Sequence, residues 1–185
     1  SNKTMKFRDI AKVDVGITTG NNNYLCVDKE TVNKYELADI SHPLIARSVN
    51  ISGVTFDISD WTMNVENGAK TYLVDFNKVN ESTMTKLQKE YIILGEEKEV
   101  NLGYKCSIRE KWYEVPSIWA PDAFFLRRNY KYPKFVLNYC NAVSTDTMHR
   151  VRFIDNIDYK KAILSYYNSI SLAFTELEAR SSGGG

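Results

Sequence analysis

The stretch KFRDIAKVDVGITTGNNNYLCVD (6–28) decides how the fold begins. Its pattern predicts a first strand, a polar turn and a second strand around Tyr24–Val27. Gly16 and Gly20 bracket the turn, and the asparagines at positions 21–23 tolerate left-handed backbone geometry. We therefore expect two strands joined by a tight, glycine-bracketed loop.

The segments around this start alternate between short helical and strand-like patterns. KETVNKYEL (29–37) predicts a short helix, whereas 43–76 is rich in β-branched and aromatic residues and is broken by Gly53 and Gly68. Between 104 and 154 the chain is again β-rich, and prolines separate its candidate strands. Those strands are YKCSIREKWYEV (104–115), AFFLRR (123–128), KFVLNYC (134–140) and MHRVRFI (148–154).

Two longer helices are predicted from their caps and apolar stripes. NESTMTKLQKEYIILG (80–95) has Asn80 or Ser82 as N-cap and Gly95 as its C-terminal stop. The last helix begins after Asp158 and runs to about Arg180, with apolar residues at three- and four-residue spacing.

Composition indicates a single globular domain. The 185 residues are 43% hydrophobic and 12% aromatic, enough to form a core without disulfides or a metal. We predict an α+β fold, β-rich with a mid-chain helix and a long C-terminal helix, over residues 3–185, as a fragment of a longer chain. No apolar run approaches the ~20 residues of a membrane span, and no secretory signal is visible, so we expect a cytoplasmic location. The cysteines are far apart in sequence and are expected to be buried free thiols: Cys26, Cys106 and Cys140.

Charge is unevenly distributed along the chain. The formal net charge is +1, but residues 1–100 carry 12 basic and 15 acidic side chains, whereas residues 101–161 carry 11 basic and 6 acidic ones. The basic excess coincides with many aromatic residues, a pattern that can serve phosphate binding. The alternative is a solvated basic face.

Common catalytic and nucleotide-binding motifs are absent from the sequence. There is no phosphate-binding G-x-x-x-x-G-K-[ST] loop, no G-x-G-x-x-G fingerprint and no G-x-S-x-G elbow. An alternative is a metal-dependent nuclease in which Asp75, Glu96 and Lys98 hold a metal and orient water. Against it, the E-x-K triplet lies in the polar run GEEKEVN, where a solvated loop is the simpler interpretation.

Four stretches in order resemble one protein family. They are VGITTGNNNYLCV (15–27), YKCSIREKWYEVP (104–116), YPKFVLNYCNAVSTDTMHRVRF (132–153) and YNSISLAFTELEARSSGGG (167–185). Together they resemble the C-terminal target-recognition domain of adenine-specific DNA methyltransferases of type II restriction-modification systems. The resemblance covers almost the whole chain.

The resemblance implies sequence-specific recognition of double-stranded DNA without catalysis in this chain. The family's N-P-P-Y/F tetrapeptide cannot occur here, because the four prolines are never adjacent. Methylation with S-adenosylmethionine would belong to a catalytic domain of the same parent chain, which is the second expected partner beside DNA. A recognition domain of a type I specificity subunit is a close alternative, although the last helix lacks a sustained heptad. A non-catalytic module for a sugar or peptide also remains open.

Candidate DNA contacts are the basic and small polar side chains that can reach phosphates or base edges. The predicted set is Lys105, Arg109, Lys111, Arg127, Arg128, Lys131, Asn141, Thr145, His149 and Arg150. On a strand over 104–115, Arg109 and Lys111 would share one face. A second set would contact DNA or the catalytic domain from the glycine-bracketed loop: Thr18, Thr19, Asn21 and Asn22.

Overall fold

The computed structural model describes residues 6–126, 134–155 and 157–167 and shows two mixed β-sheets with short helices around them. The strands are β1 Ala11–Val15, β2 Cys26–Val27, β3 Ser41–Ile45, β4 Thr55–Phe56, β5 Tyr72–Val74, β6 Ala123–Leu126, β7 Lys134–Asn138, β8 Val143–Ser144 and β9 His149–Phe153. The helices are α1 Asn22–Leu25, α2 Lys29–Lys34, α3 Ile58–Glu66, α4 Lys86–Glu97, α5 Tyr104–Ser107 and α6 Tyr159–Tyr166. This arrangement confirms the predicted α+β class.

The larger sheet has the strand order β1-β9-β6-β7-β4. Its strands are antiparallel except for the parallel pair β4–β7, and β1 pairs with β9 from Ala11 opposite Phe153 to Val15 opposite His149. One face packs against Ile163 of α6. The other face joins Ile45 of β3 in a second apolar cluster, so the two sheets share part of the core.

The smaller sheet has the order β2-β5-β3-β8, with β3 and β8 parallel. It carries the largest apolar cluster, in which helix α4 contributes the buried Tyr91. The chain passes from the smaller to the larger sheet between β8 and β9. At that crossing Ile17 forms a parallel bridge with Thr145, which ties the segment after β1 to the smaller sheet.

Several local predictions are confirmed. The helix expected in 29–37 is α2, and the strands expected at 123–128, 134–140 and 148–154 are β6, β7 and β9. Asp158 is the N-cap of α6, where its side chain accepts a hydrogen bond from Lys161 N. The three cysteines are buried free thiols. The predicted continuation of α6 to about Arg180 lies outside the described residues, which reach position 167.

The strand predicted over 104–115 is wrong. This segment forms the single-turn helix α5 and then irregular turns. Gly103 starts the helical turn by accepting hydrogen bonds from the backbone N–H groups of Cys106 and Ser107. Trp112 and Tyr113 then pack against the core instead of alternating along a sheet.

Three further local predictions differ from the structure. The strand-like region 43–76 contains α3, whose start is a capping box between Asp57 and Asp60. Helix α4 begins after Thr85, not after Asn80 or Ser82. The second strand expected around Tyr24–Val27 is in part helical, since α1 precedes the two-residue strand β2.

Among the described residues, no helix is both long and apolar enough to cross a membrane.

Candidate nucleic-acid interface

The segment from Gly16 to Asn23, called the glycine loop below, is seated directly on the turn between β8 and β9. Gly16 N donates to Met148 O at 2.9 Å, and Ile17 N donates to Ser144 O at 2.8 Å. A Cβ atom on Gly16 would lie 1.9 Å from the backbone oxygen of Thr145. Only glycine permits this approach, which fixes one side of the loop.

The segment around α5 holds the other side of the glycine loop. Arg109 Nη2 donates to Thr18 O at 3.2 Å, a bond between residues 91 positions apart. Gly20 has a φ of +91°, and a Cβ atom there would meet Cys106 Sγ at 2.8 Å. Three of the four stretches that carry the family resemblance therefore meet at this loop.

The tip of the loop is a single helical turn with its own cap. Asn21 Oδ1 accepts hydrogen bonds from Asn23 N at 3.0 Å and Tyr24 N at 3.1 Å. Lys70 Nζ donates to Asn23 O at 3.2 Å and lies 3.4 Å from Asn23 Oδ1. Asn22 and Asn23 are exposed, so the tip presents two amide side chains to solvent.

Two of the open grooves at the loop tip border Asn22. The first, called the Lys105 groove, has a volume of about 370 Å³ and is lined by Thr18, Thr19, Gly20, Asn22, Tyr104, Lys105 and Asp146. The second, called the Arg47 groove, has a volume of about 520 Å³; its lining includes Asn22, Asn23, Arg47, Lys70, Thr145 and Thr147. Asn22 lies at the border of both.

Among the described residues, the exposed cations that line these two grooves are Arg47, Lys70 and Lys105. Lys105 was predicted from sequence, but Arg47 and Lys70 come from the acidic first hundred residues and were missed. No local pattern marks them, because the fold alone brings them to the loop. Asp146 of the Lys105 groove offsets part of this positive charge.

Some of the predicted residues of the glycine loop support the loop from within, and others face a groove or solvent. Thr19 is buried at 2% exposure, and its hydroxyl donates to Asn22 Oδ1 at 2.5 Å. Thr18 is half-buried and lines the Lys105 groove. Asn21 supports the tip through its cap, whereas Asn22 is available to a ligand.

Arg109 and Lys111 do not form the strand-face pair that the sequence predicted. Arg109 is half-buried and holds the loop at Thr18 O. Lys111 Nζ lies 3.5 Å from a carboxylate oxygen of Glu81 and 3.8 Å from one of Glu114. Its charge is therefore compensated within the protein.

Arg150 and Thr145 are buried and bind backbone oxygens. Arg150 donates from Nε to Val15 O at 3.0 Å and from Nη1 to Ser117 O at 2.7 Å. Its guanidinium lies 4.1 Å from the centre of the Trp119 ring, and burial lowers its pKa below the usual value. Thr145 Oγ1 bonds Ala46 O at 3.1 Å. In this conformation both side chains position the sheets around the loop.

The remaining predicted contacts line neither of these two grooves or lie outside the described residues. Asn141 is exposed in a turn after β7 with a φ of +52°, and His149 is half-buried at the start of β9. Arg127, Arg128 and Lys131 lie outside the described residues.

Both carboxylates of the alternative nuclease site, Asp75 and Glu96, bind other partners. Asp75 Oδ2 is 2.7 Å from His42 Nε2, and Asp75 Oδ1 accepts from Asn77 N. Glu96 Oε1 accepts from Trp112 Nε1 at 3.3 Å. Within residues 6–126, 134–155 and 157–167, no three His, Cys, Asp or Glu side chains are grouped to hold a metal ion.

Comparison with protein families agrees with the convergence of these stretches. The model of the family described as "Type II methyltransferase M.Eco57I, C-terminal domain" matches residues 1–185, the whole chain. The chain belongs to this family. The resemblance to a methyltransferase C-terminal domain is thereby confirmed. No individually curated protein matches the chain.

Proposed function

We propose that this C-terminal domain recognises double-stranded DNA for an adenine-specific type II methyltransferase. The observation that supports this proposal most strongly is the convergence of three family-like stretches on the glycine loop, whose tip is surrounded by Arg47, Lys70 and Lys105. In such an interface, cations and small polar groups neutralise phosphates and set the register on the duplex. The restriction-modification context and the adenine specificity are part of the same proposal.

We assign DNA recognition to this domain and methylation to a separate catalytic domain, and two features of the chain support this assignment. The contacts of Gly16 and Gly20 support the absence of an S-adenosylmethionine site at the glycine loop, because the space that a Cβ would fill at these glycines is occupied by Thr145 and Cys106 and leaves no cradle for a cofactor. The chain also has no adjacent prolines for the family's catalytic tetrapeptide. Methylation of a flipped adenine is therefore assigned to a catalytic domain of the parent chain, for which this domain would hold the DNA.

Surface charge sets the expected strength of binding. Because the net charge is only +1, phosphate binding depends on cations that lie close together on the surface. We therefore expect a modest electrostatic contribution to the free energy of DNA binding. Non-specific duplex binding should then lie in the range of about 10⁻⁴ to 10⁻⁶ M at physiological salt and weaken steeply as salt increases.

A fluorescence-anisotropy titration of a labelled duplex tests the proposed function. The chain should bind at ~50 mM salt and lose affinity at ~200 mM salt, because each phosphate contact releases counterions. A labelled acidic peptide of equal charge serves as the control and should not bind. Absence of duplex binding at the lower salt concentration would overturn the proposal.

A further inference from the structure

We infer that Asn22 and Asn23 read base edges chiefly as hydrogen-bond donors, and that they favour guanine in the major groove. This inference rests on the proposed DNA-binding function. It concerns which bases the loop tip selects and comes from the orientation of two exposed amides.

The amide of Asn22 is oriented by two buried neighbours. Its Oδ1 accepts a hydrogen bond from Thr19 Oγ1 at 2.5 Å and lies 3.9 Å from Cys26 Sγ. Thr19 and Cys26 are 2% and 1% exposed, so neither can turn to solvent for another partner. The Thr19 hydroxyl and the weakly donating Cys26 thiol occupy the two lone pairs of this oxygen. The Nδ2 group of Asn22 is thus directed away from the protein.

The amide of Asn23 is oriented by a cation. Lys70 Nζ lies 3.4 Å from Asn23 Oδ1 and donates to the backbone oxygen of the same residue. An ammonium group has three donors and no acceptor, so it must face the amide oxygen and not the nitrogen. The Nδ2 group of Asn23 is therefore the free end of this side chain.

Both amides consequently offer the same chemistry to a ligand. Within the described residues, neither Nδ2 group donates to a protein acceptor, and both residues are exposed at the edge of the Arg47 groove. An asparagine with both ends free reads adenine by donating to N7 and accepting from N6. Here Oδ1 of Asn22 already accepts from Thr19 Oγ1 and Cys26 Sγ, and Oδ1 of Asn23 faces the Lys70 ammonium group, so a base amino group is disfavoured at both oxygens and the donating half of that pairing dominates.

Side chains that donate hydrogen bonds distinguish the bases by the acceptors on their edges. In the major groove guanine presents two adjacent acceptors, N7 and O6, whereas adenine presents one acceptor beside an amino donor, thymine one acceptor beside a methyl group, and cytosine an amino donor. An outward N–H group is repelled by those amino groups and accepted by guanine. The adjacent positions of Asn22 and Asn23 predict one or two neighbouring base pairs with guanine on the strand that the loop contacts.

Selection from a random duplex library, with sequencing of the bound fraction, tests this inference on the complete 185-residue chain. The unmodified chain should enrich guanine at one or two adjacent positions. The double variant Asn22→Ala/Asn23→Ala should reduce that preference on the order of tenfold, the effect of losing one good base contact. The double variant should lose more affinity for the selected sequence than for a fixed non-specific duplex, because non-specific binding depends on the cations around the loop, which the variant keeps.

Two further variants distinguish a loss of base recognition by Asn22 and Asn23 from a change in the structure of the domain. Asn23→Asp keeps an oxygen facing Lys70 but replaces the outward donor with an acceptor, so it should shift the preference from guanine toward cytosine, whose N4 group donates. Asn33→Ala removes an exposed amide from α2 and should leave the selected sequence unchanged.

The outcomes distinguish this inference from the proposed function. If the unmodified chain binds duplex and the double variant selects the same sequence, the readout by Asn22 and Asn23 is overturned while DNA binding stands. Enrichment of no position at all would overturn the readout as well. If the unmodified chain binds no duplex, both proposals fail.

Discussion

At the scale of single residues, Gly16 is the most constrained position of the glycine loop. Its missing side chain lets the loop approach the β8–β9 turn, where a Cβ would be 1.9 Å from Thr145 O and 2.7 Å from Met148 O. Both neighbours are backbone atoms, which cannot move aside as a side-chain tip can. The sequence indicated a turn bracketed by glycines, but only the structure shows which glycine is required for packing.

Replacing Gly16 should therefore destabilise the whole domain. Gly16→Ala is expected to lower the free energy of unfolding by about 3 kcal/mol or more, since overpacking against immobile atoms forces the backbone to shift. Gly53→Ala is the matched control, because its new Cβ would be 3.6 Å from the nearest atom. Urea unfolding measures both variants. Equal unfolding midpoints for the two would contradict the packing described for Gly16.

At the scale of secondary-structure elements, patterns local to one segment were predicted well. Strands β6, β7 and β9 and helix α2 follow from residues within each segment. Predictions failed where a contact distant in sequence decides the conformation. The alternation in 104–115 suggests a strand, but the packing of Trp112 against Tyr24 and Gly95 keeps this segment irregular.

The start of α4 offers a test of an element boundary. Thr85 Oγ1 accepts from Gln88 N at 3.2 Å, and Gln88 Oε1 accepts from Thr85 N at 3.1 Å. Loss of this capping box in Thr85→Ala should cost about 1 kcal/mol of stability. Ser82→Ala should change stability by less than about 0.5 kcal/mol, because Ser82 lies before the helix. A larger loss in Ser82→Ala than in Thr85→Ala, measured by urea unfolding, would place the cap where the sequence alone suggested it.

A substitution of Gly95 tests how closely the interior of α4 packs against its neighbours. Helix propensity alone predicts that Gly95→Ala stabilises α4 by about 1 kcal/mol. The structure predicts the opposite sign, because a Cβ there would lie 2.2 Å from Trp112 and 2.7 Å from Tyr24. Glu97→Ala, at an exposed position of α4, is the control and should be nearly neutral. A rise in the thermal unfolding temperature of Gly95→Ala would refute the close contact between α4 and these two rings.

At the scale of the whole molecule, counting charges along the sequence does not give the positions of those charges on the folded surface. Counting along the chain assigned the basic footprint to residues 101–161, and Lys105 from that range does reach the glycine loop. The fold adds Arg47 and Lys70 from an acidic region and neutralises Lys111 with Glu81 and Glu114. An interface formed by distant segments depends on tertiary structure, so its residues could only in part be predicted.

Buried protonated groups predict how stability of the whole molecule depends on pH. Burial raises the pKa of Tyr113 to about 12, where a hydrogen bond to Glu81 adds to the effect, and raises those of Cys26 to about 12 and Cys140 to about 11. The unfolded chain releases these protons at lower pH, near 9 for cysteine and 10 for tyrosine. Their contribution is fully present below pH 9 and is lost as the pH rises through 11 to 12.

Urea unfolding at pH 8 and pH 10.5 checks this dependence. The free energy of unfolding should be smaller at pH 10.5, because the unfolded state then binds fewer protons than the native state. Cys140→Ser removes one titrating group and should make the decrease shallower. A free energy of unfolding that is constant or larger at pH 10.5 would contradict the assigned burial.

A comparison of two charge-matched triple variants tests the proposal that cations around the glycine loop hold DNA. Arg47→Ala/Lys70→Ala/Lys105→Ala removes the cations at the loop, and Lys78→Ala/Lys86→Ala/Lys89→Ala removes three exposed ones that line neither groove. Anisotropy titrations over a range of salt concentrations should show that the first variant loses duplex affinity and that its log–log salt slope falls by about 0.9 per lost phosphate contact. The second variant should retain most of the affinity and slope. Equal losses in the two variants would contradict the assignment of the glycine loop as the DNA-binding surface.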